Sequence, residues 1–151
     1  MSYVVEIKIK PKFLDPLGEG FKEQALSLGE KNIKNVRVGR LFSLKGNITK
    51  AQVKRIANGL LTDKVVEDCI LNYRTGKKNN LHKIEIWLKL SATDVVGESV
   101  KEAILDMGVK GISDSRCGFA YYIEGKVSKS RLDFLTRKIL ANPLIHNYKV
   151  S

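Results

Sequence analysis

The sequence predicts an α+β protein made of two tandem copies of one small module. Each copy approximates a β-α-β-β-α-β plait, with two helices on an antiparallel sheet, and the copies pair as an intramolecular pseudo-dimer. Three observations predict this. At a constant offset of 79 residues, from Glu6–Ile7 onto Glu85–Ile86, the two halves align without a gap and share seventeen identities. Each half opens on a run that alternates with period two, VVEIKIK and HKIEIWLKL, as a strand with one buried face does. Each run is followed by apolar residues at helical spacing. The polar stretch NYRTGKKNN reads as a connector, giving a first module over 1–71, a linker over 72–80 and a second module over 81–151.

After the opening strand, Leu14, Leu17, Phe21, Ala25 and Leu28 form the apolar stripe of a first helix; Val96, Val100, Ile104 and Met107 form its counterpart. Asp15 and Asp94 are placed to cap these helices, and Pro16 fits the first turn. Gly29 and Gly108 are placed to end them in a left-handed residue. NVRVGRLFSLKG, residues 35–46, and its twin DSRCGFAYYIEG, residues 114–125, share Arg-x-Gly before an apolar run. Each reads as strand with a tight turn or bulge at the Gly, either one bent strand or a short hairpin. A second helix opens at Thr49 with Gln52 as capping-box partner and buries Val53, Ile56, Ala57 and Leu60. Its twin opens near Ser128 and buries Leu132, Leu135 and Ile139. VVEDCIL and LIHNYKV close the copies as short strands, and Pro143 stops the helix before the second. A module of this size buries too little to stand comfortably alone, and the other copy is its natural cover, face to face or edge to edge.

With 43% hydrophobic and 28% charged residues, the composition is that of an ordinary folded protein. No apolar run is long enough for a bilayer, and the alternating N-terminus lacks a signal-peptide core, so no membrane association and a cytoplasmic location are expected. Cys69 and Cys117 make neither a metal box nor a disulfide framework. The net charge of +11 favours acidic partners, but lysines alternate with glutamates and both halves are basic, so charge alone names none.

Residues for chemistry are few. His82 and His146 have no second histidine or carboxylate at ligand spacing. Arg116 could lower the pKa of Cys117, but the first copy has Val38 at that place. No phosphate-binding glycine loop is present. Gly18, in LDPLGEG, suits a close approach of backbone elements. FAYY, residues 119–122, places aromatics near Arg116 as a nucleic-acid stacking platform would, but the first copy has Arg40, Leu41, Phe42 and Ser43 there. No catalytic, cofactor-binding or metal residue is assigned. The candidates for a turn or an interface are Asp15, Gly18, Arg37 and Gly39, with their twins Asp94, Gly97, Arg116 and Gly118.

Three stretches in the first copy, YVVEIKIKPKFLDPLGEG, NVRVGRLFSLKG and LLTDKVVED, carry a resemblance to the PurS family, the small subunit of phosphoribosylformylglycinamidine synthase. The order matches: a starting strand, a DPxG-E helix opening, a V-R-V-G segment and an ending close to L-L-x-N-P-V-I-E-D-Y. The second copy keeps the ending as LANPLIHNYKV, with Arg116 and Gly118, but has Val95 for Pro16 and Ser115–Arg116–Cys117 for the V-R-V frame. Family members usually carry one copy, so the tandem form departs from the pattern. The resemblance implies a subunit without its own active site. Such a subunit bridges a glutaminase that releases ammonia and a large ATP-dependent synthetase that uses it in de novo purine biosynthesis. It implies no cofactor on this chain, since ATP, magnesium and glutamine are used by the partner subunits. Self-association is open, and nucleic acid is a disfavoured partner. The alternatives from the residues alone are an RNA-binding α/β plait and a small-molecule regulatory module.

Overall fold

The computed structural model describes residues 1–72 and 81–151. The first copy runs β1 (Ser2–Ile9), α1 (Pro16–Ser27), β2 (Ile33–Gly46), α2 (Lys50–Ile56) and β3 (Glu67–Leu71). The second runs β4 (Leu81–Leu88), α3 (Val95–Asp106), β5 (Ile112–Gly125), α4 (Lys129–Leu135) and β6 (His146–Val150). A π-helical turn extends α2 over Ala57–Leu61 and α4 over Thr136–Leu140. The connector expected over 72–80 lies, apart from Asn72, outside the described residues.

The strands form one antiparallel sheet in the order β3-β1-β2-β5-β4-β6. The copies therefore join edge to edge through β2 and β5. In that register Arg40 lies opposite Phe119, its own twin, so a pseudo-twofold axis passes through this pair. The 35–46 segment is neither bent at Gly39 nor a hairpin. β2 is a continuous strand of 14 residues, and Gly39 pairs regularly with Lys8 and Ala120; irregularities fall only at its ends.

All four helices cover one face of the sheet, and they exchange partners. Phe21 and Ala25 of α1 join Leu132 and Leu135 of α4 over Val36, Val38, Ile84 and Ile123. Ile104 of α3 joins Val53 and Ile56 of α2 over Val5, Ile7, Phe42 and Leu44. Each core thus mixes helices from both copies. The length of β2 and β5, about 45 Å at strand rise, explains the exchange. β1 pairs with the second half of β2, whereas α1 lies over the first half, opposite the end of β5 that carries β4. Arg131 donates to the carbonyl of Leu28 and pairs with Glu30, and Arg55 donates to the carbonyl of Met107, tying helix ends across the copies.

The expected caps are present. Thr49 and Gln52 form the capping box, and Ser128 caps α4. Gly29 and Gly108, at φ of 90° and 88°, end α1 and α3. The N–H groups of Glu30 and Gly29 return to Ala25 and Leu26, as those of Val109 and Gly108 return to Ile104 and Leu105. This double bond pattern closes a helix on a left-handed residue.

The helix stripes need correction. Leu14, Leu17 and Leu28 are 72%, 49% and 40% exposed, and Val96 is 55% exposed. Only the Gly18–Phe21–Ala25 line of α1 and the Gly97–Ile104 line of α3 are buried. Glycine at Gly18 lets the helix approach the strand so closely that a Cβ there would sit 2.1 Å from the Val36 carbonyl oxygen. Contact at that line leaves the flanking leucines outside. In α2 the wider π turn rotates the buried position by one residue, so Leu61 is buried where Leu60 was expected. No helix among the described residues is long and apolar enough to cross a membrane.

Candidate partner-facing site

The Arg-x-Gly segment and its helix opening meet where β1 stops pairing with β2. The last β1 partner of β2 is Gly39, so the next inward N–H, that of Val38, has no strand to bond to. Asp15 supplies the acceptor: one carboxylate oxygen accepts from Val38 at 2.8 Å and the other from Gly18 at 3.1 Å. One buried side chain caps α1 and closes the β2 ladder. Arg37 points from the opposite face of β2 and donates to the carbonyls of Ile9, Lys10 and Phe13 at 3.0–3.1 Å, gathering the loop between β1 and α1.

The second copy repeats the device. Asp94 accepts from Gly97 and Cys117, each at 2.8 Å, and Arg116 donates to the carbonyls of Leu88 and Lys89. Arg116 also stands 4.0 Å from Asp94. The eight candidate residues thus gather into two groups of four related by the pseudo-twofold. Gly39 and Gly118 serve close approach in extended backbone. A Cβ at Gly39 would meet the Glu6 carboxylate at 2.6 Å, and one at Gly118 would meet the Trp87 ring and the Ile86 carbonyl at 2.6 Å.

The helix-free face joins groups that the sequence showed only separately, Glu6 as one of the identities and Tyr122 as part of FAYY. Glu6, 1% exposed, reaches across Gly39 to accept from the Tyr122 hydroxyl, while Lys8 stands 3.4 Å from its other oxygen and 4.0 Å from the Tyr122 ring centre. Burial, then the hydrogen bond to Glu6, push the Tyr122 hydroxyl well above its usual pKa. In the twin position, burial tends to raise the Glu85 pKa, but the Trp87 indole N–H and Lys83 outweigh it and hold the carboxylate lower. The Glu6–Glu85 identity was the visible signal; that Glu6 spans both copies is set by register, which no spacing displays.

Two hollows flank this strip as pseudo-symmetric mates. One, about 500 Å³, is lined by polar Lys8, Asn35, Arg37 and Asp68 with Pro11 and Ile70. The other, about 220 Å³, is lined by Trp87, Leu88, Leu90 and Val4 beside Arg116 and Asn147. A third hollow, about 340 Å³, lies on the helix side between α3 and the π turn after α2.

The remaining candidates take ordinary places. Burial first, then the Asp94 carboxylate, push the Cys117 thiol up to about 11, the reverse of the activation that Arg116 suggested. The Cys69 thiol is half-buried beside Asn58. His146 accepts the Asn142 N–H through Nδ1 and pins the turn before β6. Of the 119–122 aromatics, Phe119 and Tyr121 face the helices and Tyr122 is spent on Glu6, so the strand offers no row of exposed rings. Among the described residues no group of His, Cys, Asp and Glu is placed to hold a metal ion.

Paired sheet edges, exchanged helices and twin buried joints define a class: an intramolecular pseudo-dimer of one duplicated α+β unit. The family model for PurS, phosphoribosylformylglycinamidine (FGAM) synthase, matches residues 2–75 and again 81–151. The chain belongs to the PurS family, and so to purine biosynthesis, as a tandem duplication of the family's unit. Among solved structures it is similar to B. subtilis PurS, at 26% identity and a TM-score of 0.43, covering 47% of this chain and 95% of that one. It is also similar to Methanocaldococcus jannaschii PurS, one of the subunits of formylglycinamide ribonucleotide amidotransferase in the purine biosynthetic pathway. That match has 21% identity, a TM-score of 0.43, and covers 47% of this chain and 92% of that one. No curated protein sequence matches.

Proposed function

We propose that the chain is the non-catalytic bridging subunit of phosphoribosylformylglycinamidine synthase. It assembles a glutaminase subunit with the large ATP-dependent synthetase and works in the cytoplasm. ATP, magnesium and glutamine are bound by those partners, and this chain contributes geometry. The observation that carries the proposal is the double family match laid out about one pseudo-twofold axis. Such a body offers two related but unequal sets of surfaces, as a bridge between two different proteins needs. The unequal hollows beside Arg37 and Arg116 support the same reading: the larger carries Lys8 and Asp68, and the smaller carries Trp87 and Asn147 in their place. Holding the two enzymes in fixed register shortens the path of ammonia, which free in water is protonated and lost as a nucleophile.

The test mixes the purified chain with the two subunits and resolves the mixture by size-exclusion chromatography. A three-component species is expected. Separate elution of the chain from both partners at micromolar concentration would sink the proposal.

A further inference from the structure

On the helix side the two copies differ: one inter-helical groove is filled and its twin stands open. In the filled one Phe21 of α1 is buried against Tyr121, ring centres 5.6 Å apart, and Phe119 lies 6.5 Å from Tyr121. The twin positions carry Val100 for Phe21, Phe42 for Tyr121 and Arg40 for Phe119. Replacing two rings by valine and arginine leaves the groove of about 340 Å³ between α3 and the π turn after α2. Val95, Val96 and Leu60, exposed by 69%, 55% and 37%, form its apolar walls. Its one charged lining residue is Arg40, with its side chain 38% exposed. Nη2 of Arg40 is engaged by Glu67 and the Leu61 carbonyl, while Nε and Nη1 make no hydrogen bond among the described residues.

We infer that this groove is a docking site for a partner protein segment carrying an aromatic side chain beside a carboxylate. The ring would occupy, in trans, the volume that the twin groove fills with Phe21 of the first copy and Phe119 of the second. The carboxylate would take the remaining guanidinium donors of Arg40, where a planar fork suits it. The charge balance points the same way, since the chain carries +11 and its groove a cation. Apolar walls around one placed polar group are the usual make-up of an anchor pocket. Duplication thus produced one anchor site per chain instead of two. The inference deepens the assembly proposal and rests on it only for the kind of partner.

Two arms test it. In the first, the ¹⁵N-labelled chain is titrated with N-acetyl-L-phenylalanine, which joins a ring to a carboxylate, and with its neutral amide. The expected result is millimolar binding with shifts centred on Leu60, Val96, Val100 and Ala103, at least threefold weaker for the amide. Arg40→Gln should equalise the two probes. Val100→Phe, which copies the filled twin, and Leu60→Asp, at an exposed wall, should abolish the shifts while the ¹⁵N spectrum stays folded. Shifts scattered over the surface, equal binding of acid and amide, or undiminished binding by both variants overturns the inference. In the second arm, both variants should bind one of the two partner subunits at least tenfold more weakly. Unchanged binding to both subunits overturns the groove but leaves the assembly proposal standing. Failure of the wild-type chain to bind either subunit overturns the assembly proposal, and the probe titration alone then decides the groove.

Discussion

At the scale of residues, Asp15 holds two N–H groups in different elements that would otherwise be buried without a partner. Losing a cap costs about 1 kcal/mol, and orphaning a buried donor about 1–3 kcal/mol. Asp15→Ala should therefore lower stability by about 2–4 kcal/mol in urea unfolding, and Asp94→Ala similarly. A loss below about half a kcal/mol would show that water replaces the carboxylate freely. Cys117 gives a pH prediction. Its thiol titrates at about 11 when folded, against an ordinary value of 9.0, so the unfolded chain releases that proton first. Stability from this group is complete below pH 9 and is lost as the pH rises from 9 towards 11. Cys117→Val, the residue of the first copy, should flatten that decline in unfolding free energy, and an unchanged slope would contradict it. The identities Asp15/Asp94, Arg37/Arg116 and Gly39/Gly118 marked these joints in the sequence. Their roles were less legible, because a glycine demanded by a neighbour's side chain and one demanded by positive φ look alike. Gly39 suggested a turn and is straight strand.

At the scale of elements, the glycines separate cleanly. Gly29 and Gly108 stand at positive φ, where a Cβ costs about 1–2 kcal/mol. Gly20 lies inside α1, and a Cβ there would have nothing within 4 Å. Gly29→Ala and Gly108→Ala should each lower the urea midpoint, and Gly20→Ala should raise stability by about 0.5–1 kcal/mol. Equal shifts of one sign for all three would refute the assignment. Starts and stops of the helices were legible because caps are local chemistry. Which face each helix buries was only partly so. The leucines of α1 follow helical spacing, but the contact line is set by Gly18, and the π turns move Leu61 inward at the expense of Leu60.

At the scale of the molecule, the exchange of helices makes each core a joint product of the two copies. Phe21 of the first copy packs on Tyr121 of the second, and Glu6 bonds Tyr122 across β2. Expressed separately, residues 1–72 and 81–151 should be largely unstructured at micromolar concentration, and their mixture should regain the circular dichroism of the whole chain in a concentration-dependent way. Two independently folded halves would contradict the composite cores. The repeat made the duplication visible at once, yet the exchange was not, since the path of α1 over the far half of a long strand depends on register. The role in purine biosynthesis follows from family membership, and the bridging role is the proposal to which the unequal twin surfaces lend support. The most direct measurement compares nitrogen sources in the reconstituted synthase. With glutamine, amidine formation should fall at least tenfold when this chain is left out; with excess ammonium salt it should be unchanged. Equal glutamine-dependent rates with and without the chain would contradict the account.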